Sequence, residues 1–215
     1  MKTFKFKIYP LEPPIEIRRA KKNDKLMQIA ELIYCSNPKM FKYYHYNQVY
    51  GCEDLVNMIL TKGSALYFEN MFVAAQGSKI WGVLVALTPK TDLSYNYKYF
   101  KKKREPYKVT VENYFEKMPE KLKNGTFLVT NLFVHEAYRN FTIARKLIIS
   151  AESYFKEQGI NYTEVYVLSD NDLLKNLVKN MEFKQVERYL DFATADEKQY
   201  VETYRRQIKE DEYYK

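Results

Sequence analysis

The segment that decides the fold is VHEAYRNFTIARKLIISAESYFKEQG, residues 134–159. It starts at the end of an apolar run, residues 126–134, and passes through a short loop into a stretch with helical periodicity. Its apolar stripe consists of Ala144, Leu147, Ile148, Ala151 and Phe155, and Gly159 ends the helix. A strand, a tight loop and a helix in this order can hold a phosphate, because the first helical turn has unpaired N–H groups. The loop itself, residues 139–144, contains no glycine.

Hydrophobic patterning predicts one mixed α/β domain, residues 1–215, with its core in residues 15–207. The predicted order is β-α-α-β-β, an insertion over residues 88–124, and then β-α-β-α-β-β. Asn23 and Asp24 are expected to cap the first helix, and a helix is expected within the insertion over residues 109–122. The nearly continuous apolar run over residues 126–134 is typical of a buried central strand.

Composition excludes several classes of function. The chain has 35 Lys and Arg against 27 Asp and Glu, a net charge of +8, but it has no recognisable nucleic-acid-binding motif. We therefore expect no nucleic-acid partner, since only the net charge would support one. No apolar run reaches the roughly 18 residues of a membrane helix, and the first residues have no secretory signal pattern. Two cysteines outside CxxC spacing and two histidines predict a cytoplasmic protein without a metal site.

The quoted segment resembles motif A of the GNAT superfamily of N-acetyltransferases. The resemblance rests on Val134-His135-x-x-Tyr138-Arg139 followed by a helix. In that motif the loop usually reads Gln/Arg-x-x-Gly-x-Gly/Ala. Arg139 and Ala144 match its first and last positions, and Thr142 stands where the central glycine would be.

A second stretch resembles motif B of the same superfamily, which usually reads Asn-x-x-Ala-x-x-Leu-Tyr and is followed by Gly-Phe. Asn171, Leu177 and Phe183 match this pattern. Val178 occupies the position of the tyrosine, and Glu182 occupies the position of the glycine. The order and spacing of the motifs extend the resemblance over roughly residues 15–207.

The resemblance implies a mixed, mostly antiparallel sheet with helices on both faces and an insertion between strands 3 and 4. It also implies acetyl-CoA as cosubstrate, a primary amine as acceptor, and direct attack in a ternary complex. Family members are frequently dimers, so a homodimer is a further expectation. The residues implied in cofactor binding are Leu132, Phe133 and Val134 for the pantetheine arm, Arg139, Asn140, Phe141, Thr142, Ile143 and Ala144 for the pyrophosphate, and Asn171.

Catalysis by this route needs a proton for the leaving thiolate, which the motif B tyrosine often supplies. Val178 has no proton to donate, so Tyr166 on the preceding strand is a candidate replacement, as are Tyr138 beside the loop and a proton donor from solvent. Asn131, a polar residue on the central strand, is a candidate for orienting a water or the substrate. The aromatic cluster Tyr43, Tyr44 and His45 is a candidate wall of the acceptor site, since aromatic rings suit a cationic amine.

Each of these assignments has a simpler alternative. The loop can merely join strand to helix, Asn171 can be a helix cap, Asn131 can be a satisfied buried amide, and the aromatic cluster can be ordinary packing. For the whole protein, the alternative is a catalytically inactive acyl-CoA-binding or interaction protein on the same fold. Thr142 and Val178 are the residues that suggest it.

Overall fold

The computed structural model describes residues 13–39, 41, 48–95, 122–138, 141–193 and 198–209. In these residues seven strands form one sheet, and four α-helices cover its two faces. The strands are β1 (Glu16–Arg19), β2 (Met71–Gln76), β3 (Lys79–Leu87), β4 (Thr126–Val134), β5 (Tyr162–Leu168), β6 (Lys184–Ala193) and β7 (Lys198–Gln207). The helices are α1 (Leu26–Ser36), α2 (Gln48–Leu60), α3 (Phe141–Lys156) and α4 (Asp172–Asn180).

The strand order in the sheet is β1-β2-β3-β4-β5-β7-β6. Five of the neighbouring pairs are antiparallel, and only β4 and β5 run parallel, because α3 carries the chain back between them. The long connection from β3 to β4 holds the predicted insertion. The predicted fold class is therefore confirmed: a mixed, mostly antiparallel sheet with helices on both faces and an insertion between the third and fourth strands.

The core consists of two apolar layers, one on each face of the sheet. The first layer packs α1 and α2 against residues such as Val73, Val83 and Val85. The second packs α3 and α4 against Phe127 and Val129, among others. Because β4 is covered on both sides, its sequence is nearly continuous in apolar residues, and each such side chain contributes about 1.5–3 kcal/mol when fully buried.

Two predictions about local structure are not confirmed: one is wrong, and the other concerns residues that the structure does not describe. The prediction that Asn23 and Asp24 cap α1 is wrong, since the N-cap is Lys25 and it makes no side-chain cap hydrogen bond. The Asp24 carboxylate instead accepts two hydrogen bonds from Arg18, at 2.6 and 2.9 Å, and one from the Lys21 N–H at 2.7 Å. A charged guanidinium is a stronger donor than a helix N–H, so it takes the carboxylate. The helix predicted over residues 109–122 lies, except for Leu122, outside the described residues.

None of the helices described combines the length and hydrophobicity that crossing a bilayer requires.

Candidate active site

The central feature of the site is a parting of β4 from β5. The two strands pair from Thr126 with Tyr162 as far as Val129 with Val165, and there the ladder between them ends. β4 continues along β3 to Val134, while β5 continues along β7 to Leu168. In the described strands, the edge of β4 that faces β5 therefore leaves backbone N–H and C=O groups available to a bound molecule beyond Val129.

A β-bulge marks the point of parting. Val85 of β3 pairs with Asn131, but the next residue, Ala86, pairs with Val129, so Thr130 is an extra residue in β4. A bulge bends its strand and ends regular pairing, and it can turn a side chain toward a site. Here it bends β4 at the position where the parallel ladder stops.

A narrow cleft of about 20 Å³, enough room for one water molecule, lies between the parted strands. Its lining comes from five elements or their adjoining loops, and it is Ser36, Asn37, Thr130, Asn131, Leu132, Tyr166, Leu168, Asn171, Leu174 and Val201. None of these side chains is charged. The cleft therefore offers neutral hydroxyl and amide groups together with a backbone edge.

The C-terminal end of α1 is fastened across the cleft. The Asn131 Nδ2 donates to Ser36 Oγ at 2.7 Å, and the Ser36 hydroxyl donates to the Ile33 carbonyl at 2.6 Å. On the other side, Gln199 Nε2 of β7 donates to Asn37 Oδ1 at 3.1 Å, within the protein interior. The end of α1 thus connects the two halves of the sheet at the place where they separate.

Sequence reasoning missed Ser36, Asn37 and Gln199 as residues of this site. A signal was present at α1, because two polar residues, Ser36 and Asn37, follow its apolar stripe directly before Pro38. Gln199 carried a weaker signal of the same kind as Asn131, a polar side chain at a position that the strand buries. Neither signal named a partner, since the contacts join parts of the chain that are far apart in sequence.

The N-terminus of α3 lies next to the C-terminal end of β4, as the quoted segment predicted. The first turn of α3 contains no acidic residue. Thr142 is exposed there, while Ile143 is buried in the core, so Ile143 has only its N–H to offer a ligand. Arg145 and Lys146 follow in the next turn and are exposed. Cations near a helix N-terminus oppose the helix dipole, and a bound anion would remove that conflict.

The predicted residues separate into four groups. Asn131, Leu132, Tyr166 and Asn171 line the same cleft, although Asn171 also caps α4 by accepting from the Leu174 N–H at 3.0 Å. Phe133 and Val134 lie on the same strand, but they pack against opposite faces of the sheet.

Thr142, Ile143 and Ala144 form the first turn of α3 together with Phe141. Arg139 and Asn140 lie outside the described residues, and so do Tyr43, Tyr44 and His45.

Val178 holds the position of the motif B tyrosine. Its side chain is fully buried, in the layer between the sheet and α3 and α4. One turn earlier on α4, Leu174 lines the cleft. In this chain the side of α4 that approaches the cleft is therefore apolar.

The amino-acid sequence matches no protein-family model and no curated protein. Solved structures, in contrast, match over nearly the whole chain. An acetyltransferase structure aligns with a TM-score of 0.61 at 15% identity, covering 90% of this chain and 100% of its own. The N-acetyltransferase from Staphylococcus aureus Mu50 aligns with a TM-score of 0.57 at 15% identity, covering 91% of this chain and 99% of its own. The PaiA N-acetyltransferase from Thermoplasma acidophilum, solved with coenzyme A, aligns with a TM-score of 0.53 at 15% identity, covering 90% of this chain and 98% of its own.

The chain has the GNAT N-acetyltransferase fold. The resemblance to GNAT motifs is thereby confirmed at the level of fold. In this GNAT fold, β4 parts from β5 and then leads into the N-terminus of α3, and the lining of the cleft includes the end of α1 and the start of α4. Among the residues that the structure describes, no group of three or more His, Cys, Asp or Glu side chains is placed to hold a metal ion.

Proposed function

We propose that the protein is an N-acetyltransferase that transfers the acetyl group of acetyl-CoA to a primary amine. The observation that carries this proposal is the parting of β4 from β5 at the Thr130 bulge, on the strand that leads into the N-terminus of α3. A slim amide-bearing arm can pair with the freed edge of β4 while its phosphates meet the N–H groups of the helix. Acetyl-CoA has both of these parts.

The proposed binding mode uses the residues in order along the cofactor. The backbone of Leu132, Phe133 and Val134 pairs with the pantetheine arm, and Asn171 faces it from α4. The N–H groups of residues 141–144, together with Arg139 and Asn140, hold the pyrophosphate. Because contact is made mostly through backbone N–H groups, a loop without glycine can still serve.

The proposed reaction is direct attack by the neutral amine on the thioester carbonyl carbon. The new C–N bond forms, the C–S bond breaks, the amine loses a proton and the thiolate takes one. We assign the proton donor to Tyr166 and the orientation of the substrate or a water to Asn131, both of which line the cleft. The acceptor would approach from the end of α1, where Tyr43, Tyr44 and His45 follow in the sequence.

A second candidate function is acyl-CoA binding without catalysis. It is favoured by two observations: the motif B position is a buried valine, and the cleft lining described above is uncharged. The two functions share the cofactor site and differ only in turnover. A homodimer and a cytoplasmic location stay predictions from the sequence.

Calorimetric titration with acetyl-CoA tests the binding that both functions require. We expect micromolar binding that weakens strongly with S-acetylpantetheine, which lacks the pyrophosphate that the N-terminus of α3 is proposed to hold. Thr142→Glu places a carboxylate in the first turn of α3, where it should stabilise the free helix but repel the phosphates. We expect the affinity for acetyl-CoA to fall by about tenfold or more. Gln185→Glu makes the same change in net charge at an exposed position of β6, and it should bind as the unmodified protein does.

Absence of binding at millimolar acetyl-CoA would contradict both functions. If binding holds, release of free thiol is measured with a panel of diamines, amino-terminal peptides and aromatic amines. Thiol release that depends on an amine supports the transferase. Binding without release for every amine class supports the inactive binding protein.

A further inference from the structure

A second cavity, of about 310 Å³, lies toward the end of the sheet that is opposite the N-terminus of α3. Leu87, the last residue of β3, pairs with Leu128 near the start of β4, so the cavity beside it is remote from Val134 and the N-terminus of α3. Ala86 and Phe155 form part of its floor. Its walls are the loop between α2 and β2, the loop after β3 and the last turn of α3.

Close packing between the two loops holds this cavity in shape. The Tyr95 N–H donates to the Gly63 carbonyl at 2.9 Å. Gly63 has φ +85°, and a Cβ there would lie 2.7 Å from Ser94 Oγ. This positive φ strains a residue with a side chain, and an added Cβ would also displace the Ser94 hydroxyl, so glycine suits this contact. The cavity is therefore bounded by two loops that pack against each other.

The distinctive group in the cavity is the Arg19 guanidinium. Its Cζ lies 4.4 Å from the centre of the Tyr154 ring and 5.1 Å from the centre of the Phe72 ring. Within the described residues, no carboxylate lies in ion-pair range of this guanidinium, and its N–H groups make no hydrogen bond to protein. Burial lowers the pKa of Arg19, and only the Tyr154 and Glu69 charges act in the opposite direction. A half-buried cation with unsatisfied donors costs stability, and an oxyanion would satisfy it.

The groups around Arg19 also favour an anion. Lys62 and Lys90 stand at the rim and are exposed, and the hydroxyl of Thr91 belongs to the same lining. Two carboxylates share the cavity, but Asp92 already accepts the Ser94 N–H at 2.9 Å. The lining therefore carries three cations and two carboxylates, so the cationic charge is in excess by one.

We propose that this cavity binds a small anion carrying a carboxylate or phosphate group, with Arg19 as its planar, two-pronged donor. The guanidinium matches both groups in shape, and the flanking rings hold it in a fixed plane. The cavity volume is at the lower end of the range of about 300–1,000 Å³ for small-molecule sites. The site is independent of the proposed acetyl-CoA site, so either can exist without the other.

The test is titration with inorganic phosphate and with succinate, against chloride at matched ionic strength. We expect one saturable site for at least one probe, and the tighter probe identifies the class of anion. Arg19→Met keeps an apolar stem between the rings but removes the donors, and it should weaken binding about tenfold or more. Lys79→Met is the matched control, because Lys79 is also a cation over an aromatic ring, 5.6 Å from Trp81, but lies elsewhere.

Thr142→Glu separates this site from the N-terminus of α3. Probe binding that survives in Thr142→Glu and is lost in Arg19→Met supports the proposal. Binding that is lost in Thr142→Glu and kept in Arg19→Met places the anion at α3 and overturns it, as does the absence of saturable binding. If Arg19→Met does not fold, the rim variant Lys90→Glu should weaken the probe several-fold, and an unchanged affinity there would equally overturn the proposal.

Discussion

Tyr166 shows how little a single residue type says before its surroundings are known. The chain contains 21 tyrosines, and the side chain of this one lines the cleft between the parted strands. Its ring meets that of Tyr189 edge to face, with centroids 6.0 Å apart. Two tyrosines on the same face of the sheet therefore form a natural pair of test and control positions.

We predict that Tyr166→Phe lowers kcat for acetyl transfer by about 100-fold and leaves the KM for acetyl-CoA nearly unchanged. The reason is that only the proton for the leaving thiolate is lost, while the ring remains. Tyr189→Phe removes a hydroxyl from the neighbouring ring and should retain full kcat. Equal activity of the two variants in steady-state thiol release would exclude Tyr166 as the donor.

Glu182 occupies a backbone conformation that usually requires glycine. Its φ is +63°, and it is the only residue other than glycine with positive φ in the described chain. The Glu182 N–H donates to the Lys179 carbonyl at 2.9 Å, and the Phe183 N–H donates to the Val178 carbonyl at 3.0 Å, which is the Schellman ending of α4. The motif B glycine is thus explained by the helix ending, and Glu182 replaces it under strain.

We predict that Glu182→Gly raises the melting temperature by about 2–4 °C, because it relieves left-handed strain in a domain of this size. The exposed ion pair with Lys209 is lost, which offsets little. Lys209→Gln breaks the same ion pair without changing the backbone and serves as the control. Thermal unfolding, monitored by circular dichroism, measures the melting temperatures. A lower melting temperature for Glu182→Gly would refute the strain argument.

At the scale of elements, one buried ion pair fixes α3 to the far half of the sheet. The Glu152 carboxylate of α3 accepts a hydrogen bond from Arg206 Nε of β7 at 2.8 Å and another from the Thr163 hydroxyl of β5 at 2.7 Å. Arg206 also donates to the Met181 carbonyl at the end of α4, at 2.9 Å. Glu152 and Arg206 are 1% and 5% exposed, so neither charge has water as an alternative partner.

We predict that Glu152→Leu lowers the free energy of unfolding by about 3–5 kcal/mol, because it leaves the Arg206 charge buried and unpaired. The double variant Glu152→Leu with Arg206→Met should recover most of this loss, since no charge then stays in the interior. Urea unfolding of the three proteins measures both values. A double variant as unstable as the single one would mean that the pair is needed for packing and not for charge balance.

The elements themselves were largely predictable from the sequence. β4 was predicted at its observed bounds, and α3 was predicted with most of its buried stripe, because both patterns are set by local periodicity. The error at Asp24 has a different cause. A cap residue can be outcompeted by a partner brought in by the fold, here Arg18 on β1.

At the scale of the whole molecule, the interior buries several groups that ionise at alkaline pH. Burial raises the pKa of the Cys52 thiol from 9.0 to about 11. Burial, together with the hydrogen bond to Glu202, raises the pKa of Tyr204 from 10.0 to about 12. The two residues lie in the two different apolar layers, so both layers respond to the same change of pH.

A raised pKa in the folded state gives stability that is complete below the unfolded pKa and is lost as pH rises through the folded pKa. We therefore predict that the melting temperature falls steadily between about pH 9 and pH 12. Cys52→Ala should flatten the first part of this fall and Tyr204→Phe the later part. Tyr50→Phe, at an exposed position, should leave the profile unchanged. A melting temperature that is constant across this range would contradict the prediction.

The sequence by itself determined the elements, their order and the resemblance to GNAT motifs, because hydrophobic period, turns and short motifs are properties of neighbouring residues. It also determined that a helix N-terminus would follow the central strand. Only the tertiary structure decided what surrounds the cleft: it joined Ser36 to Asn131 and Asn37 to Gln199, and it buried Val178. The physical reason is that these contacts depend on strand order and on the bulge at Thr130, which bring together residues that no local pattern relates. The Arg19 guanidinium, which has no ion-pair partner among the described residues, has the same origin, since a sequence shows a charge but not which partners the fold places within its reach.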